Sequence, residues 1–251
     1  MPLKESEAIV LRSFPLGEAD RLVSFLSRTE GRLRGVARGA RRTKNQFGST
    51  LEVLSHVRIW FYERETRDLV RINQCELVES FYAAQGDYDR SIAFALISEV
   101  VEAILPEHEA ADPAFRLVLI ASRAISAGKG ISLPLAYFAL WSVRLAGWLP
   151  GLDRCENCGR AFISPGGSDG AYMQPSGDLV CGNCRIGGEF VDAETLQLSR
   201  KILTEKLDRL LDAPPAEPEL KKVIQVSLDI IEREIDKKLS TRKLVTGEIE
   251  I

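Results

Sequence analysis

Gly31 to Leu51 reads GRLRGVARGARRTKNQFGSTL, and the fold of the first third of the chain turns on how this stretch is read. From Arg28 to Lys44 there are seven basic residues (Arg28, Arg32, Arg34, Arg38, Arg41, Arg42, Lys44) against one acid, Glu30. The 251-residue chain has a formal net charge of -3, so the run is no by-product of composition, and it points to an anionic partner. If Arg32 to Arg38 is a strand, its side chains alternate in direction. Arg32, Arg34 and Arg38 then share one face, and Leu33, Gly35 and Ala37 the other. Gly39 and Gly48 bracket a loop that holds Arg41, Arg42 and Lys44. A charged strand face running into a charged flexible loop suits a polyphosphate backbone better than a small anion. The plainer alternative is a solvated strand with a basic loop.

Working outward, the neighbours also read as strands: Ala8 to Ser13, Arg21 to Ser27, Leu51 to Tyr62 and Leu69 to Leu77. Thr29-Glu30-Gly31 and Thr66 to Asp68 read as turns. In Leu51 to Tyr62, Leu51, Val53, Val57, Ile59 and Phe61 fall on one side. Glu52, His56 and Arg58 fall on the other, with Leu54 and Trp60 among them. Five short strands in about 80 residues predict a small barrel or sandwich. A five-stranded barrel of the OB type is a common home for such a basic surface, which is an argument by analogy.

The middle of the chain changes period. Phe94, Ile97, Val101 and Ile104 recur at helical spacing until Pro106. Asp112-Pro113 reads as an N-cap followed by proline, opening a helix that ends near Gly128. Pro134 opens a third helix ending at Gly147. Asp192 caps a helix carrying Leu196, Leu203, Leu207 and Leu210. A last helix from Glu219 to about Leu239 places Leu220, Val223, Ser227 and Ile231 on one stripe. Trp141 and Trp148 read as core residues.

Composition bounds the class. Hydrophobic content of 45% and charged content of 27% are those of an ordinary globular protein. Residues 1–80 hold 14 Lys+Arg and 11 Asp+Glu, and residues 81–251 hold 19 and 25, so positive charge gathers at the front. Glu5 and Glu7 interrupt the N-terminus, which reads as no secretory signal. The longest weakly polar stretch, Ile131 to Val143, is too short to cross a bilayer. Five cysteines with no export signal predict a cytoplasmic protein.

Four of those cysteines form Cys155-x2-Cys158 and Cys181-x2-Cys184. Each pair sets two thiolates on one tight turn, and two such turns make the tetrahedral S4 cage that zinc prefers. Gly159 and Gly182 allow the knuckles, and Gly166-Gly167, Asp169-Gly170 and Ser176-Gly177 fit turns between them. A filled S4 set predicts one structural Zn2+ and no Lewis-acid role. Cys75 stands alone and reads as a buried apolar residue.

Further stretches carry a resemblance: Leu16-Gly17-Glu18-Ala19-Asp20-Arg21-Leu22, Glu30-Gly31-Arg32, Ala37-Arg38-Gly39-Ala40-Arg41-Arg42, and Glu76-Leu77-Val78-Glu79-Ser80-Phe81. They are followed by Leu145-Ala146-Gly147-Trp148-Leu149-Pro150, Leu152-Asp153-Arg154-Cys155 and Lys238-Leu239-Ser240-Thr241-Arg242. Together they resemble the bacterial recombination mediator family RecO. The resemblance implies an α+β multidomain chain: an OB-type barrel at 1–80, then a helical domain at 81–251 with a zinc ribbon at 152–190 inserted. It further implies binding of single- and double-stranded DNA, strand annealing, and help in loading recombinase onto DNA coated with single-stranded DNA-binding protein. RecR and the acidic-apolar tail of that coating protein are the implied protein partners, and the bacterial nucleoid the implied place. DNA contacts map onto Arg34, Arg38, Arg41 and Arg42, and the strand-and-loop reading adds Arg32 and Lys44.

About five phosphate contacts on a single strand would give a log–log salt slope of roughly -3.5, at ~0.7 per contact. Catalysis is not expected. His56, in a strand, reads as packed or exposed rather than catalytic, and His108 as part of a solvated acidic turn. Asp87 and Asp89 read as helix-start acids rather than a nuclease metal pair. Glu63, Glu65 and Asp68 read as a solvated turn. Arg116, Arg123 and Arg144 are candidates for the partner's acidic tail. Lys237, Lys238, Arg242 and Lys243 either extend the DNA surface or complement a helix end. A zinc-ribbon transcription or RNA-binding factor is the alternative function.

Overall fold

The computed structural model describes residues 3–63, 68–163 and 170–246. The expected turn at Thr66 and the residues Glu65, Gly166, Gly167 and Asp169 lie outside the described residues. The chain forms two compact units. One runs to Lys129 and resumes at Leu239, and the other is Gly130–Lys238.

The first unit begins with β1 (Leu3–Leu16), β2 (Asp20–Ser27), β3 (Gly31–Ala37), β4 (His56–Tyr62) and β5 (Leu69–Glu79). They close into a barrel in the order β1-β2-β3-β5-β4, with β3 and β5 parallel and the other pairs antiparallel. This is the OB-type arrangement. Closure relies on β1 being long: Leu3 to Ile9 pairs with β4, and Ala8 to Leu16 pairs with β2. The register shift between Val10 and Arg12 bends the strand where it changes partner. The core holds Val10, Val23, Phe25, Leu33, Val57, Ile59, Phe61, Val70 and Ile72. At Gly35 an added Cβ would lie 2.8 Å from Val70 Cγ2 and 2.9 Å from Ile72 Cγ1, so only glycine lets β3 approach the β5 side chains. Cys75 is buried, and that burial pushes its thiol up to about 12, which matches its expected apolar role.

Two boundaries differ from those expected, for physical reasons. β1 starts five residues early because its polar residues are paired across the barrel. Lys4 Nζ donates to Glu30 and to Glu63 at 2.6 Å each, and Trp60 Nε1 donates to Glu5 at 3.0 Å. Glu63 is therefore an ion-pair partner and not part of a solvated turn. β4 starts only at His56, not at Leu51. Residues 47–55 form a looped plug whose Phe47, Leu51 and Leu54 are all buried, with Leu54 at φ 60°. The apparent alternation there came from turn residues that pack inward, not from a pleated strand.

α1 (Tyr88–Ile104) is capped by Asp87, whose carboxylate accepts from Arg90 N at 3.0 Å. α2 (Asp112–Ser126) has Pro113 in its first turn, but Ala111 takes the cap position. Asp112 is already helical, and its carboxylate accepts from Arg28 Nε at 2.7 Å and pairs with Arg116 at 2.9 Å. α2 lies against the barrel wall, with Phe115 edge-on to His56 at 5.6 Å.

In the second unit, α3 (Ser132–Leu145) precedes the small antiparallel sheet β6 (Gly170–Met173), β7 (Leu179–Val180) and β8 (Glu189–Asp192), ordered β7-β6-β8. α4 (Ala193–Thr204) is capped by Asp192, which accepts from Thr195 N at 2.8 Å. The expected single helix breaks after Thr204, and α5 (Leu207–Asp212) carries Leu207 and Leu210 onward. α6 (Glu217–Glu234) buries Leu220, Val223, Ser227 and Ile231, the stripe expected. α7 (Arg242–Thr246) belongs to the first unit. No helix among the described residues is long and apolar enough to cross a membrane.

Candidate nucleic-acid interface and metal centre

The basic stretch divides into two halves. In β3 the side chains alternate as expected: Leu33, Gly35 and Ala37 are buried, Arg34 and Arg38 are exposed, and Arg32 is half-buried on their side. Yet Arg32 and Arg34 both meet Glu107, from the segment after α1. Arg32 Nη1 lies 3.0 Å and Arg34 Nε 2.8 Å from Glu107 Oε1. Arg32 Nε also donates to the Leu105 carbonyl at 2.9 Å, and His108 N donates to the Arg32 carbonyl at 3.1 Å. Arg28 is taken up by Glu7 and Asp112. These three cations thus help fasten the barrel to its helices.

The loop half is different. Arg38, Arg41, Arg42 and Lys44 are all exposed, and none is ion-paired with another described residue. The loop carrying them is not slack. Ala40 and Phe47 are buried in the barrel core. Gly39 N donates to Asp20 Oδ1 at 2.8 Å, and Arg41 Nη1 donates to the Gly17 carbonyl at 2.6 Å. The Asn45 carboxamide accepts from Phe47 N at 2.9 Å and Gly48 N at 2.8 Å and donates to the Arg42 carbonyl at 2.9 Å. Gly39, at φ 72°, supplies the turn out of the strand. Four cations therefore stand on an anchored loop at one end of the barrel.

The remaining candidates are engaged in varied ways. Arg123 pairs with Glu79 at 2.8 Å, and Arg116 pairs with Asp112. Arg144 stacks over Trp141, 5.2 Å from the ring centre. Arg116 and Arg123 sit on α2 in the first unit and Arg144 on α3 in the second. His108 contacts Glu63 at 3.1 Å, and of the two readings left open for His56, packed or exposed, the structure shows it packed. Burial holds the His56 imidazole below its ordinary value of 6.5. Near the C-terminus Arg242 is buried, while Lys237 and Lys243 are exposed.

Sequence reading missed the centre of that last motif. Glu99, buried on α1, accepts from Ser240 N and Oγ at 2.8 and 2.6 Å and from Thr241 N and Oγ1 at 2.9 and 2.6 Å. Burial pushes its carboxyl up, but these four donors outweigh burial and hold it below 4.5. Glu107 was missed as well. Neither acid has a local pattern that marks it, because each partner lies 73 or more residues away in sequence.

The four cysteines come together. The sulfurs of Cys155, Cys158, Cys181 and Cys184 all lie within 4.8 Å of one another, with Cys158 and Cys181 3.7 Å apart. A tetrahedron with metal–sulfur bonds of ~2.3 Å has sulfurs ~3.8 Å apart, so the residues fit a metal ion. Two reciprocal knuckles make the cage: Gly159 N donates to the Cys155 carbonyl at 2.9 Å and Cys184 N to the Cys181 carbonyl at 3.0 Å. Gly159 uses φ 71°; Gly182 has no positive φ and room for a Cβ, so only the first of the two expected glycines is required. Burial pushes the Cys155 thiol up, but backbone N–H groups of Cys181, Cys158 and Asn157 outweigh it and bring it down to about 6. Hydrogen bonds to Cys158 and Cys181 push Cys184 up to about 12. Four thiolates this close are stable together only around a cation. The cage rests on Phe162, Ala171, Leu179, Val180, Val191 and Leu196.

Comparison with known proteins gives a consistent picture. The family model described as "Recombination protein O N terminal" matches residues 1–81, and "Recombination protein O C terminal" matches residues 85–243. The chain is 37% identical to the DNA repair protein RecO of Koribacter versatilis, over 95% of this chain and 96% of that protein. It is 37% identical to the RecO of a Nocardioides species, over 80% and 82%. With the RecO of Syntrophobacter fumaroxidans it shares 33% identity, over 84% of each chain.

Proposed function

The chain belongs to the Recombination protein O family of DNA repair proteins, and on that footing we propose that it is a non-enzymatic recombination mediator. It binds single- and double-stranded DNA, pairs complementary strands, and helps load recombinase on DNA coated with single-stranded DNA-binding protein. The observation that carries this reading is the anchored loop with Arg38, Arg41, Arg42 and Lys44 exposed on an acidic chain. Phosphate contacts by these side chains release counterions and give affinity without regard to sequence. Arginine forks suit bidentate phosphate contacts. A surface that neutralises two strands at once lowers their mutual repulsion, which favours pairing without a nucleotide. Four contacts on a single strand give a salt slope of about -2.8. Arg32 and Arg34, held by Glu107, contribute less than the loop.

The cysteine cage holds one structural Zn2+ that fixes the ribbon. RecR and the acidic tail of the single-stranded DNA-binding protein are the protein partners, with Arg116, Arg123 or Arg144 meeting the tail. The protein works in the bacterial cytoplasm, on the nucleoid. The test is strand annealing on DNA coated with single-stranded DNA-binding protein. An Arg38→Glu, Arg41→Glu, Arg42→Glu variant loses annealing while keeping its fold; unchanged annealing refutes the assignment.

A further inference from the structure

The ribbon carries a surface that its cysteine cage does not explain. β8 lies at the edge of the small sheet, bonded to β6 alone among the described strands. Tyr172 and Phe190 are paired across these two strands and share a face, with ring centres 5.2 Å apart. Arg185, the residue after Cys184, lies over the Tyr172 ring, 4.6 Å from its centre. Phe190 has no such cover. It is 56% exposed, and Ile186, in the turn before it, is 92% exposed. The Phe190 ring is nevertheless held. A Cβ at Gly170 would lie 2.8 Å from that ring, and a Cβ at Gly188 would lie 2.1 Å from the Met173 carbonyl oxygen. Both glycines therefore let β8 and its ring press onto β6. A ring already held in one place loses little freedom on meeting a partner.

Beside Phe190, bounded by β8 and α6, is a cavity of about 250 Å³. Met173, Val191 and Val226 give it apolar walls. It is smaller than the ~300–1,000 Å³ clefts of small ligands and suits one long side chain instead. The charges at its rim decide which side chain. Lys222 donates to Asp192, so these two cancel. Glu189 is exposed and has no ion-pair partner among the described residues. Asp229, engaged by a neighbour, also lines the cavity. A phosphate or a carboxylate would be repelled here, so nucleic acid and an acidic tail have the wrong sign. A guanidinium has the right one. It can pair with Glu189 and cover Phe190 as Arg185 covers Tyr172.

We propose that this edge of the ribbon is a docking site for a partner protein that presents an arginine next to a bulky apolar residue. The guanidinium lies on Phe190 and pairs with Glu189. Its stem fills the cavity over Met173 and Val226, and the neighbouring apolar side chain covers Ile186. The site is separate from the arginines proposed for the acidic tail, carries the opposite charge, and does not depend on the DNA-binding reading. The ribbon then serves as a rigid mount for a protein contact.

The experiment selects a random-peptide phage library on the immobilised, zinc-loaded full-length chain. Glu189→Arg and Phe190→Ser chains are selected in parallel. Both positions are exposed, and zinc content and amide spectra check each fold. Wild type enriches peptides with arginine beside a bulky apolar residue. Synthetic copies bind Phe190→Ser about 30-fold more weakly, the loss of one aromatic anchor. They bind Glu189→Gln about 2- to 5-fold more weakly, the loss of one exposed ion pair. Glu189→Arg enriches peptides with an acid at the arginine position, an inversion that a merely structural role of Glu189 would not produce. If wild type enriches nothing beyond the Phe190→Ser chain, or its peptides lack a cation, or they bind Glu189→Arg equally well, the docking site is overturned. It falls as well if single-stranded DNA shifts the Ile186 and Phe190 amide signals, which makes nucleic acid the occupant. Self-association of wild type that Phe190→Ser abolishes makes a second copy the occupant and overturns it too.

Discussion

The cysteine cage and the arginine stretch are both clusters of like residues, but folding treated them differently. The four thiols have one physical option. They are closer than independent thiolates tolerate, and all four were brought to one point. The arginines had two options, and the chain used both. Those in the strand became fasteners between barrel and helix, and those in the loop stayed open. A metal ligand set defines its partner by its own spacing. A cation is defined by whichever acid folding places beside it.

The largest expected effect lies on the cage. Chelation, or Cys181→Ser, removes an ion whose binding supplies on the order of 10 kcal/mol or more of local folding free energy. The outcome is loss of the ribbon's ordered amide signals by NMR, together with loss of bound metal by atomic absorption. The barrel signals persist, since the barrel core shares no residue with the ribbon core. Persistence of the ribbon after metal removal would place the cysteines with ordinary core residues and dissolve the contrast.

Next comes the loop. Reversing Arg38, Arg41 and Arg42 replaces three attractions with three repulsions. Affinity for any DNA falls at least 100-fold at low salt, and the salt slope shrinks by about 2 on a single strand and by about 2.7 on a duplex. The measurement is a salt titration of binding to single strand and duplex. The variant gives up the Arg41–Gly17 bond but keeps the loop's anchors at Asn45, Asp20 and Phe47, so circular dichroism and melting stay near wild type.

How far these features could be read in advance follows from the distance to the partner. The Cys-x2-Cys pairs close within one turn, and the β3 alternation is set by neighbouring residues, so both were legible. Asp87 and Asp192 were legible as helix-start acids because a cap bonds two or three residues ahead. The early part of the expected strand at Leu51 was misread because Leu51 and Leu54 are buried as a plug, and burial alone does not distinguish a turn from a pleat. Glu107 and Glu99 were invisible for a different reason. Nothing in their own windows separates them from solvated acids, and their roles exist only after strand and helix have met.

Glu99 gives an effect of middle size. It is a buried carboxylate accepting four hydrogen bonds, and Glu99→Gln turns an NH2 group against two of those donors. The first unit should lose about 2–4 kcal/mol. The pH dependence carries a second signature. The folded carboxyl lies below 4.5, so its contribution is present above that value and is lost as pH falls through the lower folded value. His56 acts in the same direction at higher pH: the unfolded chain takes up a proton near 6.5 while the buried ring resists, so stability falls as pH drops below that point. Thermal melts from pH 7 downward should show both declines in wild type. In Glu99→Gln the upper decline should be unchanged and the lower one should shrink, its remainder carried by other carboxyls held below their ordinary values, such as Glu63 and Asp192.

The smallest effect is the one that acts on the boundary between fastener and open cation. Glu107→Gln removes the charge that holds Arg32 and Arg34. Arg32 keeps its bond to the Leu105 carbonyl and is mostly covered, so it stays in place. Arg34, with a side chain 45% exposed, is free to turn outward toward the loop cations. Partly exposed ion pairs are worth roughly 0–1 kcal/mol, so melting changes little. DNA affinity should rise a few-fold, and the salt slope should steepen by about 0.7, the increment of one added contact on a single strand. Adding Arg34→Gln to Glu107→Gln should return both quantities to wild type, because the gain belongs to that one guanidinium. An unchanged slope in Glu107→Gln would mean that Arg34 faces no phosphate even when released. The strand face would then serve only to fasten the barrel, and the nucleic-acid surface would begin at Arg38.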